Sequence, residues 1–271
     1  MKETSKLKPN SGALLVFILT VGVFGIINTE MGVIGILPLI AETFHVTVPE
    51  AGWTVSIFAL VVALSAPVTP LLFSGVNRKK VMLLALGVFT LSNIISMLTS
   101  NFTVLLIARV LPAFLHPVYV SMAFTVAAAS VSKEKAPKAV AKVFIGVSAG
   151  MVLGVPVTSY IASEVSFTMG MAFFTMVNAL VFIATILFVP SMPVKEKLSY
   201  GEQLGVLKKK IMWYSVIAVM LINGALFGFF SYMSDYLKTV TEVSYNVISS
   251  MLLIYGLANI AGNVIAGKQL V

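Results

Sequence analysis

An all-α integral membrane protein with about eight transmembrane helices is the fold class this sequence predicts, and three observations predict it. Residues of the AVILMFWYC set make up 59% of the 271-residue chain and charged residues only 10%, with a mean hydropathy of +1.02. No ordinary soluble domain needs that much apolar surface. The apolar residues fall in uninterrupted runs, whereas membrane strands would read as stretches of about 10 residues with alternating polarity. The basic residues gather in every second loop.

A helix needs about 20 apolar residues to cross roughly 30 Å of hydrocarbon. Scanning at that length predicts spans over 13–37, 52–73, 81–98, 102–127, 140–161, 169–189, 212–236 and 246–266. Span one follows Lys2, Lys6 and Lys8 but is long and lacks a small-residue cleavage site, so it is expected to be an uncleaved span. Six spans precede a polar, basic stretch over 191–211, which reads as a cytoplasmic linker. The expected organisation is therefore a six-helix bundle over 1–190, that linker, and the first two helices of a second bundle over 212–271. Such a layout is that of a repeat transporter.

Topology follows from the cations. Lys2, Lys6, Lys8; Arg78, Lys79, Lys80; Lys133, Lys135, Lys138, Lys142; and Lys195, Lys197, Lys208, Lys209, Lys210 place fifteen of the eighteen basic residues on one side. By the positive-inside rule that side, with the N-terminus, is cytoplasmic. Anionic headgroups account for these cations, so the formal charge of +8 argues for a bilayer partner and against nucleic acid. With no cysteine, thiolate metal sites and disulfides are excluded. No nucleotide, metalloprotease or nucleophile-elbow motif occurs, so no cofactor, no metal and no enzymatic activity are expected. An eight-span membrane enzyme would need clustered acids or histidines, which are absent.

Ionisable groups inside a span are costly and are functional candidates. Glu30, Arg109, His116 and Asp235 are the ones present; Asp235 is expected near the outer end of span seven, as a surface acid. Glu30 and Arg109 each lie about 7 residues, roughly 10 Å, from the outer ends of spans one and four. Equal depth predicts an ion pair between them. Burial favours the neutral carboxyl and a guanidinium the ionised one, so moving between those situations would couple a proton to transport. His116, between Pro112 and Pro117, where the helix is expected to bend, belongs to the one side-chain type that changes charge near neutral pH. Together with Asn28 and Asn223 it is expected to line a substrate cavity, although helix-to-helix hydrogen bonding explains the two amides equally well. Gly146, Gly150 and Gly154 recur every four residues ahead of Pro156 and so form a small-residue face, for packing or as a hinge.

These residues resemble the major facilitator superfamily, in particular its bacterial drug:proton antiporters and the related sugar and nucleoside efflux permeases. Thr29-Glu30 with Gly32, Gly35, Leu37 and Pro38 is similar to the span-one signature of that branch. The run Ile107-Ala108-Arg109-Val110-Leu111-Pro112 through Pro117 is similar to its span-four segment, and Gly150 to Pro156 to its span-five motif. The loop motif around Arg78, Lys79 and Lys80 departs from the family pattern, with Pro70 and Ser74 where a glycine and an aspartate are usual. The resemblance implies twelve spans in two bundles. It implies a proton-coupled exporter of a small organic solute in a bacterial inner membrane, monomeric if complete. Against that pattern, a chain of eight spans is expected to be a fragment; the alternative is an inactive structural or regulatory partner.

Overall fold

The computed structural model describes residues 9–194, 205, 208–243, 247, 251, 254–258, 261–262 and 265. The chain is helical, without a strand among the described residues. Contacts divide it into two compact units, the first running to Lys195 and the second covering Glu196–Ala258.

In the first unit, α1 (Pro9–Met31) leads through a 3₁₀ turn (Gly32–Ile36) into α2 (Leu37–Phe44), where His45 stops the helix in the left-handed conformation at φ 54°. A capping box then restarts the chain: Thr47 Oγ1 accepts from the Glu50 N–H, and Glu50 Oε2 accepts from the Thr47 N–H at 2.7 Å. The next elements are α3 (Val48–Ala51), α4 (Trp53–Ser65) and α5 (Thr69–Leu72). Span two, expected to run unbroken to residue 73, thus ends at Ser65. Pro67 and Pro70 lack the N–H that would continue it, and their rings crowd the preceding turn.

Three long helices follow: α6 (Arg78–Leu98), α7 (Phe102–Ala129) and, after α8 and α9, α10 (Phe167–Phe188). Asn77, Asn101 and Ser166 cap them by accepting backbone N–H groups. Span five is α8 (Ala136–Ala149), a π-helical turn (Gly150–Gly154) and α9 (Val155–Glu164). Pro156 forces the widened turn because it cannot donate to the turn before it.

Among the described residues, six segments are long and apolar enough to cross a membrane: Gly12–Phe44, Val48–Ser65, Arg78–Leu98, Phe102–Ala129, Lys133–Glu164 and Phe167–Phe188. They match the first six predicted spans. In the second unit α11 (Lys210–Thr239) coincides with predicted span seven, though its apolar stretch among the described residues, Lys210–Leu226, is short of a full crossing. Most of predicted span eight, Lys195 and Lys197 of the linker, and the Lys2, Lys6 and Lys8 cluster lie outside the described residues, as does the side chain of Asp235.

Helix α1 packs on α7, α8 and α10, α6 on α7 and α10, and α4 on α7. The core between them holds Leu19, Val23, Ile26, Phe58, Phe89 and Tyr119. A second cluster at the end opposite the basic loops joins Phe44 to Phe167, edge to face at 5.3 Å, and to Phe102 at 6.1 Å. Leu, Ile and Phe side chains line the outward faces of every span, as lipid-facing helices require.

Candidate functional site

Side chains lean toward the N-terminal end of their helix, whereas backbone carbonyls point toward its C-terminal end. Helices α1 and α7 run in opposite directions, and this rule arranges the site. Glu30 leans back toward the basic end, and its Oε2 lies 3.0 Å from Nε2 of His116. The two side chains keep 15% and 11% of their exposure and are otherwise buried. Neither imidazole nitrogen has an aligned hydrogen bond, so this is a close contact of two ionisable groups whose attraction depends on their protonation.

The expected Glu30–Arg109 ion pair does not form; His116 takes the carboxylate instead. Arg109 is 5% exposed, and its guanidinium donates to three backbone carbonyls: Nε to Thr54 at 2.6 Å, Nη1 to Thr29 at 3.3 Å and Nη2 to Glu30 at 3.2 Å. The last two sit where α1 gives way to the 3₁₀ turn, so the planar donor fork spans a break in the helix. The guanidinium carbon lies over the Phe58 ring, 5.0 Å from its centroid. The same ring meets His116 at 6.0 Å, nearly perpendicular, and Phe89 at 6.5 Å. Phe58, 1% exposed, thus touches both ionisable groups of α7, and nothing in the sequence pattern distinguished it from other apolar residues of span two.

Asn28, expected in a cavity, is fully buried between helices: its Oδ1 accepts from Thr158 Oγ1 at 3.4 Å, and its Nδ2 has no partner. Next to it, Thr29 Oγ1 accepts from Asn178 Nδ2 at 2.9 Å and Asn93 Nδ2 at 3.3 Å, while donating to the Gly25 carbonyl at 2.9 Å. This network ties α1, α6, α9 and α10 at one depth. Asn93 was legible as a polar residue in an apolar span but was not singled out. Asn223 belongs to the second unit, where its Nδ2 donates to the Val219 carbonyl at 2.9 Å and its side chain is exposed.

The glycine face of span five packs on α1. A methyl group at Gly146 would strike the Thr20 carbonyl, one at Gly150 would lie 2.9 Å from Ile27, and one at Gly154 would strike the Asn28 amide. The notch at Gly22 likewise receives the Tyr119 hydroxyl. At the basic end, Arg78 donates its N–H to the Met192 carbonyl at 3.1 Å, Lys79 Nζ donates to the Ile186 carbonyl at 2.8 Å, and Lys80 is exposed. Lys79 thereby caps the C-terminal turn of α10, where carbonyls lack partners and the dipole favours a cation.

The first unit is thus a bundle of apolar spans that holds an acid, a histidine and an arginine within it. The model of the Major Facilitator Superfamily matches residues 16–270. The chain belongs to this superfamily. It is 34% identical over 266 residues to the uncharacterized MFS-type transporter YtbD of Bacillus subtilis, covering 98% of this chain and 67% of that protein. It is 27% identical over 250 residues to the inner membrane transport protein YdhP of Escherichia coli, covering 92% and 64%. Among solved structures, the human organic anion transporter MFSD10 superposes with a TM-score of 0.70 at 15% identity, covering 97% of this chain and 73% of that one. A bacterial homolog of the lysosomal transporter Spinster gives 0.62 at 19% identity, covering 94% and 60%. Those two likenesses establish the fold. The chain spans about two thirds of the length of the curated relatives it matches. It is a multi-pass membrane protein of a family of transporters, not of enzymes.

Proposed function

We propose that the protein carrying this chain is a proton-coupled antiporter of a bacterial inner membrane that exports a small organic solute, such as a drug, sugar or nucleoside, by alternating access. Its N-terminus and basic loops face the cytoplasm. Residues 1–190 form the first bundle, 191–211 the linker, and 212–271 the start of the second. One observation carries the coupling: the 3.0 Å contact between Glu30 and His116, two ionisable groups set in low dielectric with a little residual exposure. One proton shared in that contact leaves its charges balanced, whereas a charge buried there without its partner is costly. Solute and proton therefore compete for the same acid. Arg109, held by carbonyls, shapes this site and does not itself carry the proton.

Everted membrane vesicles test the reading. An imposed pH gradient should collapse partly on addition of a transported solute, screened among a cationic dye, a pentose and a nucleoside. Glu30→Gln should abolish that collapse while the protein still inserts. Retention of full solute-driven proton release by Glu30→Gln would reject it.

A further inference from the structure

We infer that Phe58 is a positioning residue that decides which partner the Glu30 carboxylate takes. The inference rests on the reading of Glu30 and His116 as the proton-responsive pair. Arg109 and His116 are seven residues apart on α7, two turns along the same face, a separation of about 10 Å. The Phe58 ring, delivered by α4, fills the space between them. It lies 5.0 Å from the guanidinium carbon and 6.0 Å from the imidazole centroid, and it is held in turn by Phe89 at 6.5 Å. The electron-rich ring face attracts the guanidinium, which then aims its N–H groups at the Thr29, Glu30 and Thr54 carbonyls. The near-perpendicular contact, at 81°, sets the imidazole plane so that Nε2 meets Glu30.

The consequence is a division of labour on one residue: the Glu30 carbonyl belongs to Arg109 and its carboxylate to His116. An arginine is a stronger and permanently charged partner for a carboxylate than a histidine. Only a fixed guanidinium leaves Glu30 to the group whose charge changes. Without the aromatic face Arg109 is released, and the carboxylate passes to it.

Two variants separate shape from charge distribution. Phe58→Leu removes the ring; pentafluorophenylalanine at position 58 keeps the ring's outline and reverses the polarity of its face. With His45→Gln leaving His116 as the sole histidine of residues 1–271, isotope-edited solid-state NMR in lipid bilayers measures dipolar contact from the Glu30 carboxyl carbon to His116 Nε2 and to the Arg109 guanidinium. The parent should show the histidine contact. Both Phe58 variants should lose at least about half of that contact and gain one to Arg109, and Phe58→Tyr should retain the parent pattern. An undiminished Glu30–His116 contact in the pentafluoro variant would overturn the role of Phe58 alone. No such contact in the parent would overturn the pair itself, and with it the reading on which this inference rests.

Discussion

Gly146→Ala is the sharpest test of how α1 and α8 are held together. The added methyl would drive into the Thr20 carbonyl and lie 3.1 Å from that carbonyl's carbon and 3.3 Å from the Phe24 nitrogen. All three are backbone atoms, which cannot rotate away as a side chain would. Overpacking a fitted core costs about 1–3 kcal/mol, and a rigid obstacle belongs at the upper end. Against this, replacing a helical glycine by alanine gains up to about 1 kcal/mol of propensity. Gly87→Ala supplies the control: it sits in the interior of α6, its methyl meets only a Phe182 ring carbon at 3.5 Å, and its propensity gain is the same. Subtracting one variant from the other cancels propensity and leaves a steric difference of about 3 kcal/mol. For a chain of this size that corresponds to a gap of about 6–12 °C in thermal midpoint. Thermal unfolding of both variants in one detergent measures it, with Gly146→Ala lower. Equal midpoints would refute the claim that span five is set by close backbone approach.

Two further outcomes follow from the same geometry. Tyr119 is fully buried with an unpartnered hydroxyl, so Tyr119→Phe removes an unsatisfied group and should raise the midpoint by about 2–4 °C, corresponding to about 1 kcal/mol; a fall would mean that the hydroxyl is bonded. Arg109→Lys keeps the charge but replaces the planar fork by a point donor that cannot serve carbonyls on α1 and α4 together. A loss of about 3 kcal/mol is expected, read as a midpoint lower by about 6–12 °C, and a lysine variant as stable as the parent would deny the fork its role.

Much of the bundle was legible because the membrane imposes its own arithmetic. Six predicted spans overlap the six long apolar segments among the described residues because apolar length is a local property, and Gly146, Gly150 and Gly154 declared a packing face by spacing alone. Span two was drawn too long because hydropathy weighs Pro67 and Pro70 as ordinary residues, whereas they end a helix through a missing donor.

The candidate site was half legible. Composition singled out Glu30, Arg109 and His116, since a charge in hydrocarbon stands out in any sequence. Depth arithmetic then paired Glu30 with Arg109, and that step failed for a definite reason. Counting residues locates α-carbons, whereas a carboxylate is displaced toward the N-terminus of its helix and a carbonyl toward the C-terminus. In antiparallel helices these displacements carry apart two side chains whose α-carbons share a depth. Asn28 shows the same limit: its polarity was visible, but whether it faced a cavity or Thr158 depended on the rotation of α1 about its axis.

By itself, then, the sequence determined that this is a membrane protein of apolar helices, which loops share a side, and which few residues are too costly to be there without purpose. Those properties belong to single segments and to their transfer from water to lipid. Tertiary structure alone decided that His116 and not Arg109 answers Glu30, and that Phe58 stands between the guanidinium and the imidazole. Partner choice depends on the rotation and lean of helices distant in sequence, and at 3 Å range those angles determine which charge is neighbour to which.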